Sequence, residues 1–128
     1  MVGSPNTTGV DQELVARLCV EYWKLVRASQ RAAQQLPDKD GRRMAAQVKF
    51  SDLQLSTISG QLGLNLVSLD GEQFSVGMPA SADNGDDFSQ DEDLVVAKTL
   101  EPAVVGEMKV VHKGRVLVAR RSDEVQEE

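Results

Sequence analysis

The chain has little of what most catalytic and membrane proteins require. It holds one cysteine and one histidine among 128 residues, and aromatic residues make up only 4% of it. A single cysteine cannot form an internal disulfide, and one cysteine with one histidine cannot supply a zinc cluster within one chain. No window approaches the roughly 18 consecutive apolar residues of a membrane helix, and no secretory signal is visible. We therefore expect a cytoplasmic protein without a membrane partner or a metal.

Sequence motifs of catalysis are also missing. The sequence has no Gly-x-Ser-x-Gly nucleophile elbow and no phosphate-binding glycine pattern. His112 is the only histidine that could act as a base, and it lies next to a turn, where an exposed strand residue is the simpler interpretation. We expect no enzymatic activity, no catalytic residue and no cofactor. The net charge of -6 opposes attraction to nucleic acid, which we do not expect as a partner.

The first strong pattern is a helical heptad repeat that follows an N-cap residue, Asp11. Its a and d positions are Val15, Leu18, Tyr22, Leu25, Ser29, Ala32 and Leu36. This stripe predicts one helix of about 25 residues that begins at residue 11. Two copies of the chain could bury the stripe against each other through Val15, Leu18, Tyr22 and Leu25. Alternatively, the stripe could be buried in the core of a single domain. Cys19 lies beside the stripe and is expected to be buried.

A turn and a second helix follow. The segment 37–41, PDKDG, should break the first helix, because proline cannot continue the hydrogen bonding of a helix and Asp and Gly favour turns. Apolar residues then recur at helical spacing and end by Gly63: Met44, Val48, Leu55, Ile58 and Leu62. Two helices joined by a short turn predict an antiparallel hairpin.

From Leu64 onward the spacing changes from helical to alternating. Asp70 and Gly71 provide a turn signal, which predicts a first β-hairpin over residues 64–76. Four further β-branched runs, at 94–100, 103–105, 108–112 and 115–119, predict strands. The fold class is α+β, with an N-terminal helical hairpin or dimerising helix over residues 11–62 and a small antiparallel β-domain over 63–121. Residues 1–10 and the acidic tail 122–128 are expected to be disordered.

The segment 83–93 carries six carboxylates among eleven residues. They are Asp83, Asp86, Asp87, Asp91, Glu92 and Asp93. The order of ligands in an EF-hand is absent, so we expect a solvated loop in preference to a site for Ca²⁺ or Mg²⁺. A metal-dependent domain that uses this loop remains the third alternative. The basic residues Lys113, Arg115, Arg120 and Arg121 are expected to form an ordinary solvated face.

The segment 62–82, LGLNLVSLDGEQFSVGMPASA, resembles the GrpE family of nucleotide exchange factors. In that family a helix leads through a glycine-containing segment into the motif G-E-x-F-D-P-x-x-H-E-A-V, and Gly71, Glu72 and Phe74 match it. Lys113 and Gly114, then residues 115–117 and Ala119, resemble the closing K-G-Y and R-V-L-R-P-A elements of the family with the residues between them removed. Pro79 stands where the family has histidine.

The resemblance implies a homodimeric co-chaperone that binds a DnaK-type ATPase and promotes nucleotide exchange without a catalytic residue. The matching residues Gly71 and Phe74 would contact that partner, with Met78 and Pro79 as exposed apolar contacts beside them. Gly71 could instead shape a turn and Phe74 could fill the β-core. A small non-enzymatic adaptor or assembly protein with the same layout and an unrelated partner is the alternative.

Overall fold

A computed structural model describes the backbone of residues 4–122 and the side chains of residues 12–122. The chain divides into two compact units, and the boundary lies between Leu66 and Val67. The first unit is a helical hairpin and the second consists of short strands, which confirms the predicted α+β class. Among the described residues, no helix combines the length and the apolar composition that crossing a membrane requires.

The first unit contains α1 (Ser4–Ala33) and α2 (Asp38–Gln61). A break between the helices is confirmed, but it lies at residues 34–37 and not over 37–41, because residues 38–41 form the first turn of α2. The helix α1 begins earlier than Asp11, so residues 4–10 are helical and not the disordered leader that we expected. Proline suits the first turn of a helix, and a Ser-Pro pair starts this one. Residues 1–3 and 123–128, predicted to be disordered, lie outside the described part of the chain.

Local chemistry explains where α2 starts and stops. Asp38 and Asp40 lie in its first turn, where carboxylates interact favourably with the helix dipole. Beyond its end, Gly63 has a φ of 75°, and the amide of Leu64 donates to the carbonyl of Ser59 at 2.9 Å. A glycine in the left-handed region is a common helix terminator, because it has no Cβ to clash there. The end by Gly63 is therefore as predicted.

The second unit follows β1 (Asn65–Val67) and contains β2 (Ala80–Ala82), β3 (Leu94–Glu101), β4 (Ala103–Gly106), β5 (Lys109–His112) and β6 (Gly114–Arg120). One sheet has the order β1-β4-β5 and the other the order β2-β6-β3. The pairs β3–β6 and β4–β5 are antiparallel, whereas β2 runs parallel to β6. The four predicted β-branched runs are strands, and β2 was not predicted.

The core of the second unit is aliphatic. Its buried members are Leu69, Ala80, Leu94, Val96, Val116 and Val118. Val96 and Val116 are almost completely buried, and they come from the adjacent strands β3 and β6. Because residues alternate between the two faces of a strand, Val116 and Val118 point to the same face of β6. The alternation of the run at 115–119 thus sets which face of the sheet forms the core.

The predicted hairpin over residues 64–76 is wrong. Residues 69–72 do form a turn, in which the amide of Glu72 donates to the carbonyl of Leu69 at 3.0 Å. Gly71 has a φ of 82° at the third position, as type II turns require. The chain then runs beside β3, because Val96 donates to Glu72 and Phe74 donates to Leu94, both at 2.9 Å. The backbone of residues 72–74 therefore forms its hydrogen bonds with β3, and not with the segment that precedes the turn.

Candidate functional site

The hairpin has an apolar groove between α1 and α2, with a volume of about 570 Å³. Its apolar lining comes from both helices: Leu18, Tyr22, Leu25 and Val26 from α1, and Met44 and Val48 from α2. Glu21 is the one charged residue among those that line it. Apolar clefts with so little charge are typical of surfaces that bind other apolar groups.

The heptad stripe of α1 lines this groove and is not the buried face of the helix. Leu18 and Leu25 are 68% and 67% exposed, while Val15 and Tyr22 are half-buried. Five of the six buried apolar residues of α1 follow stripe positions by one, and the sixth is Val20: Ala16, Cys19, Trp23, Val26 and Ala33. One residue rotates a helix by about 100°, so the helix carries two adjacent apolar faces. The interpretation of the stripe as the core of a single domain is therefore wrong for Leu18 and Leu25.

Polar contacts fix the two helices beside the groove. The hydroxyl of Tyr22 donates to the carbonyl of Ser51 at 3.0 Å. On the other flank, the Nη1 of Arg27 lies 3.5 Å from Asp52 Oδ1, and its guanidinium stacks 4.5 Å from the centroid of the Trp23 ring. These contacts tie α1 to α2 at positions far apart in sequence, so the groove has defined walls.

Cys19 belongs to the buried face of α1, as the sequence predicted. Its thiol is removed from water, and burial raises its pKa above the ordinary value. A buried neutral thiol is a poor nucleophile, so this position packs as a small apolar residue.

The four residues predicted to bind a partner through the second unit lie on the segment between β1 and β2. Phe74 and Met78 are half-buried and pack against the aliphatic core, and Pro79 is half-buried as well. Gly71 is exposed and shapes the turn described above. Met78 and Pro79 are therefore less exposed than predicted, because the segment folds back onto the sheet. The structural roles proposed for Gly71 and Phe74 agree with this arrangement.

The acidic segment pairs with arginines of β6 and with Arg121, while five of its six acidic residues stay exposed to solvent, as expected of a solvated loop. Residues 85–87 form a short 3-10 helix. Arg115 donates to Asp83 through Nε and Nη2, at 3.3 and 2.5 Å, and Arg121 Nε lies 3.0 Å from Asp93 Oδ2. Arg120 pairs with a further carboxylate of the loop, that of Glu92. The predicted basic face is thus largely occupied by the acidic loop.

These contacts also shift the acidity of the loop. Hydrogen bonds from Arg115 lower the pKa of Asp83, and the same bonds raise the pKa of Arg115. The backbone amide of Ser89, followed by Arg120, lowers the pKa of Glu92. Each carboxyl keeps its charge to lower pH than an isolated group, because its charged form accepts the hydrogen bonds.

The one histidine of the chain lies in the second unit. His112 lies in a strand as predicted, but it is partly buried, and its Nε2 is 3.1 Å from Glu101 Oε1. Among the described side chains, those of residues 12–122, no group of three or more His, Cys, Asp or Glu is placed to hold a metal ion. Three loop carboxylates already accept hydrogen bonds from arginines, which reduces the oxygens available for the metal site considered as the third alternative.

Comparison with known proteins adds no relative. No family model matches the chain, and neither a curated protein nor a solved structure shows a match. The signals for a function are therefore those of the chain itself: the apolar groove of the hairpin and the strand-rich second unit. The contribution of Met44 to the groove could be found in the sequence, since it begins the second apolar stripe. The pairing of the acidic loop with β6 could not, since those residues lie about 30 positions apart.

Proposed function

We propose that this chain acts by binding other proteins and not by catalysing a reaction. The observation that carries the proposal is the groove of the hairpin, in which Leu18 and Leu25 remain two-thirds exposed to water. Large contiguous apolar patches on a small protein commonly mark interaction sites. We propose further that the chain is a homodimer through the α1 stripe, formed by Val15, Leu18, Tyr22 and Leu25, and that it acts in the cytoplasm.

The specific form that we propose is a GrpE-like co-chaperone whose second unit binds a DnaK-type ATPase. The order of the parts, a helical region followed by a small β-domain, supports it, together with the motif residues Gly71 and Phe74. Such a protein must bind the open, nucleotide-free conformation of the ATPase better than the closed one. A ligand shifts an equilibrium only by its difference in affinity between the two states.

A small adaptor or assembly protein with an unrelated partner is the second candidate. The observation that favours it is the packing of Phe74 and Met78 against the aliphatic core. Packing in the core alone explains why these two positions are apolar. The match to the family motif can therefore be explained without binding to a chaperone.

Release of fluorescent ADP from a DnaK-type ATPase, followed by stopped flow, tests the proposal. We expect the purified chain to accelerate the release, and we expect Pro79→Ala to weaken the effect. Val76→Ala is the matched control, because Val76 is fully exposed nearby and lies outside the four residues predicted to bind the partner. If the chain neither binds the ATPase nor changes the release rate, the exchange-factor proposal is refuted and the adaptor proposal stands.

A further inference from the structure

The exposed apolar residues of the hairpin are not confined to α1. On α2, Met44 and Ile58 are 39% and 47% exposed, and they are two heptads apart, with Ser51 midway between them. Met44 and Ser51 both line the groove. A spacing of seven residues returns to nearly the same side of a helix, so Ile58 continues the α2 wall of the groove toward the end of the helix. Leu62 follows one turn later and is half-exposed.

The wall formed by α1 has the same repeat. Leu18 and Leu25 are seven residues apart, and Leu14 precedes Leu18 by one turn. The hairpin thus presents two parallel rows of apolar side chains, each with a heptad spacing, on either side of one groove. This repeat is the pattern with which helices from two chains interlock their side chains.

The area available agrees with a stable interface. Six apolar side chains in the two rows are between 39% and 68% exposed: Leu14, Leu18, Leu25, Met44, Ile58 and Leu62. With on the order of 100 Å² left on each of them, two copies would bury on the order of 1,200 Å², slightly above the roughly 1,000 Å² that a specific interface needs. A row from α1 alone supplies only half of this set and would fall below that area.

We infer that the groove is covered by the same groove of a second copy, so that both helices of each chain lie in the interface. The inference rests on the proposed homodimer and specifies its seam: two hairpins pack face to face, in place of a two-stranded coiled coil of α1. A second copy suits the groove because it brings the same spacing and the same near-absence of charge. An interface with two-fold symmetry requires such a self-complementary patch.

Sedimentation velocity of the full chain and of two matched double variants tests the seam. Met44→Asp with Ile58→Asp places charges in the α2 row, and each charge occurs twice in a symmetric dimer. We expect the dissociation constant of the dimer to rise by about 100-fold or more, because an unpaired carboxylate is costly to bury. The control is Phe50→Asp with Leu53→Asp. These two residues are 59% exposed, and at about 100° per residue they lie on the side of α2 away from Val48, so we expect no change.

The possible outcomes distinguish a failure of the proposed homodimer from a failure of the proposed seam. A native chain that stays monomeric at 100 µM or so refutes the homodimer itself, since specific homodimers form far below that concentration. A dimer that tolerates the Met44 and Ile58 changes refutes only the seam and leaves a coiled coil of α1. Circular dichroism checks the helix content of each variant. If the Asp pair loses helix, Met44→Gln with Ile58→Gln replaces it, because glutamine favours helix and its amide is also unfavourable in an apolar seam, although by less than a carboxylate.

Discussion

Replacing Gly114 by alanine should destabilise the second unit, because this glycine starts β6 against the backbone of another segment. A Cβ at this position would lie 2.9 Å from the carbonyl oxygen of Glu101 and 3.0 Å from the amide nitrogen of Ala103. Both atoms belong to the backbone where β3 passes into β4, so no side-chain rotation can relieve the clash. The amide of Gly114 also donates to the carbonyl of Pro79 at 2.9 Å, which resists a shift of β6.

The expected magnitude follows from two opposing effects. Overpacking of a rigid site lowers the free energy of unfolding by about 1–3 kcal/mol. Alanine has less conformational entropy than glycine in the unfolded chain, and this difference raises the free energy of unfolding by about 0.5 kcal/mol. For a unit of this size, 1 kcal/mol corresponds to about 4–8 °C in melting temperature. We therefore expect a net loss of about 0.5–2.5 kcal/mol, so that Gly114→Ala lowers the melting temperature of the second unit by roughly 2–20 °C.

Differential scanning calorimetry provides the assay, with amide hydrogen exchange of β6 to assign the transition to the second unit. The matched control is Gly77→Ala, since a Cβ at Gly77 would meet nothing within 4 Å. This control should leave stability unchanged or raise it by a few tenths of a kcal/mol. The close approach at Gly114 is disproved if both variants melt with the native chain, or if the control is destabilised as strongly.

Three more predictions concern the acidic loop and the buried thiol. Asn84→Ala should destabilise the second unit by about 2 kcal/mol in urea unfolding, because its side chain donates to and accepts from the β6 backbone, both at 2.9 Å. The lowered pKa values of Asp83 and Glu92 add stability that is fully present above about pH 4.5 and is lost as the pH falls through the lowered values. Asp83→Asn should therefore flatten the fall in melting temperature between pH 5 and pH 2 or so, and an unchanged slope would contradict the pairing with Arg115. Cys19 should react with a thiol reagent only after denaturant is added, and rapid labelling of the native chain would contradict its burial.

Much of the architecture was predictable because the signals that encode it are local. The first helix ends shortly before Pro37, the second ends just before Gly63, and the β-branched runs mark four of the strands. The pairing of the strands was not predictable in the same way. Residues 72–74 align with β3, about 20 positions away, although Asp70 and Gly71 form the turn that the sequence indicates. A turn signal fixes the local bend, but it does not choose which strand receives the hydrogen bonds that follow.

The candidate sites were only partly predictable, for reasons of geometry and of charge. The heptad spacing identifies Leu18 and Leu25 as one apolar face of α1. Cys19 and Val26, each one residue further on, belong to a second apolar face, and this second face is the buried one. Periodicity alone cannot decide which of two adjacent apolar faces the chain buries. In the acidic segment, the density of carboxylates predicts mutual repulsion. The acidic residues are indeed mostly exposed, but the sequence did not indicate the arginines that pair with them in the folded chain.

The exposed leucines of the α1 stripe are unfavourable in water, and the folding of the hairpin does not require them. Leucine, glutamate and lysine have similar helix propensities, so α1 would form as well with charged residues at positions 18 and 25. The neighbouring positions Cys19 and Val26 already belong to the buried face of the helix. Leucines that are two-thirds exposed add nothing to the core of an isolated chain and lower its solubility. Such residues gain free energy only when another surface covers them, which is the physical reason for our proposal that this face of α1 takes part in association.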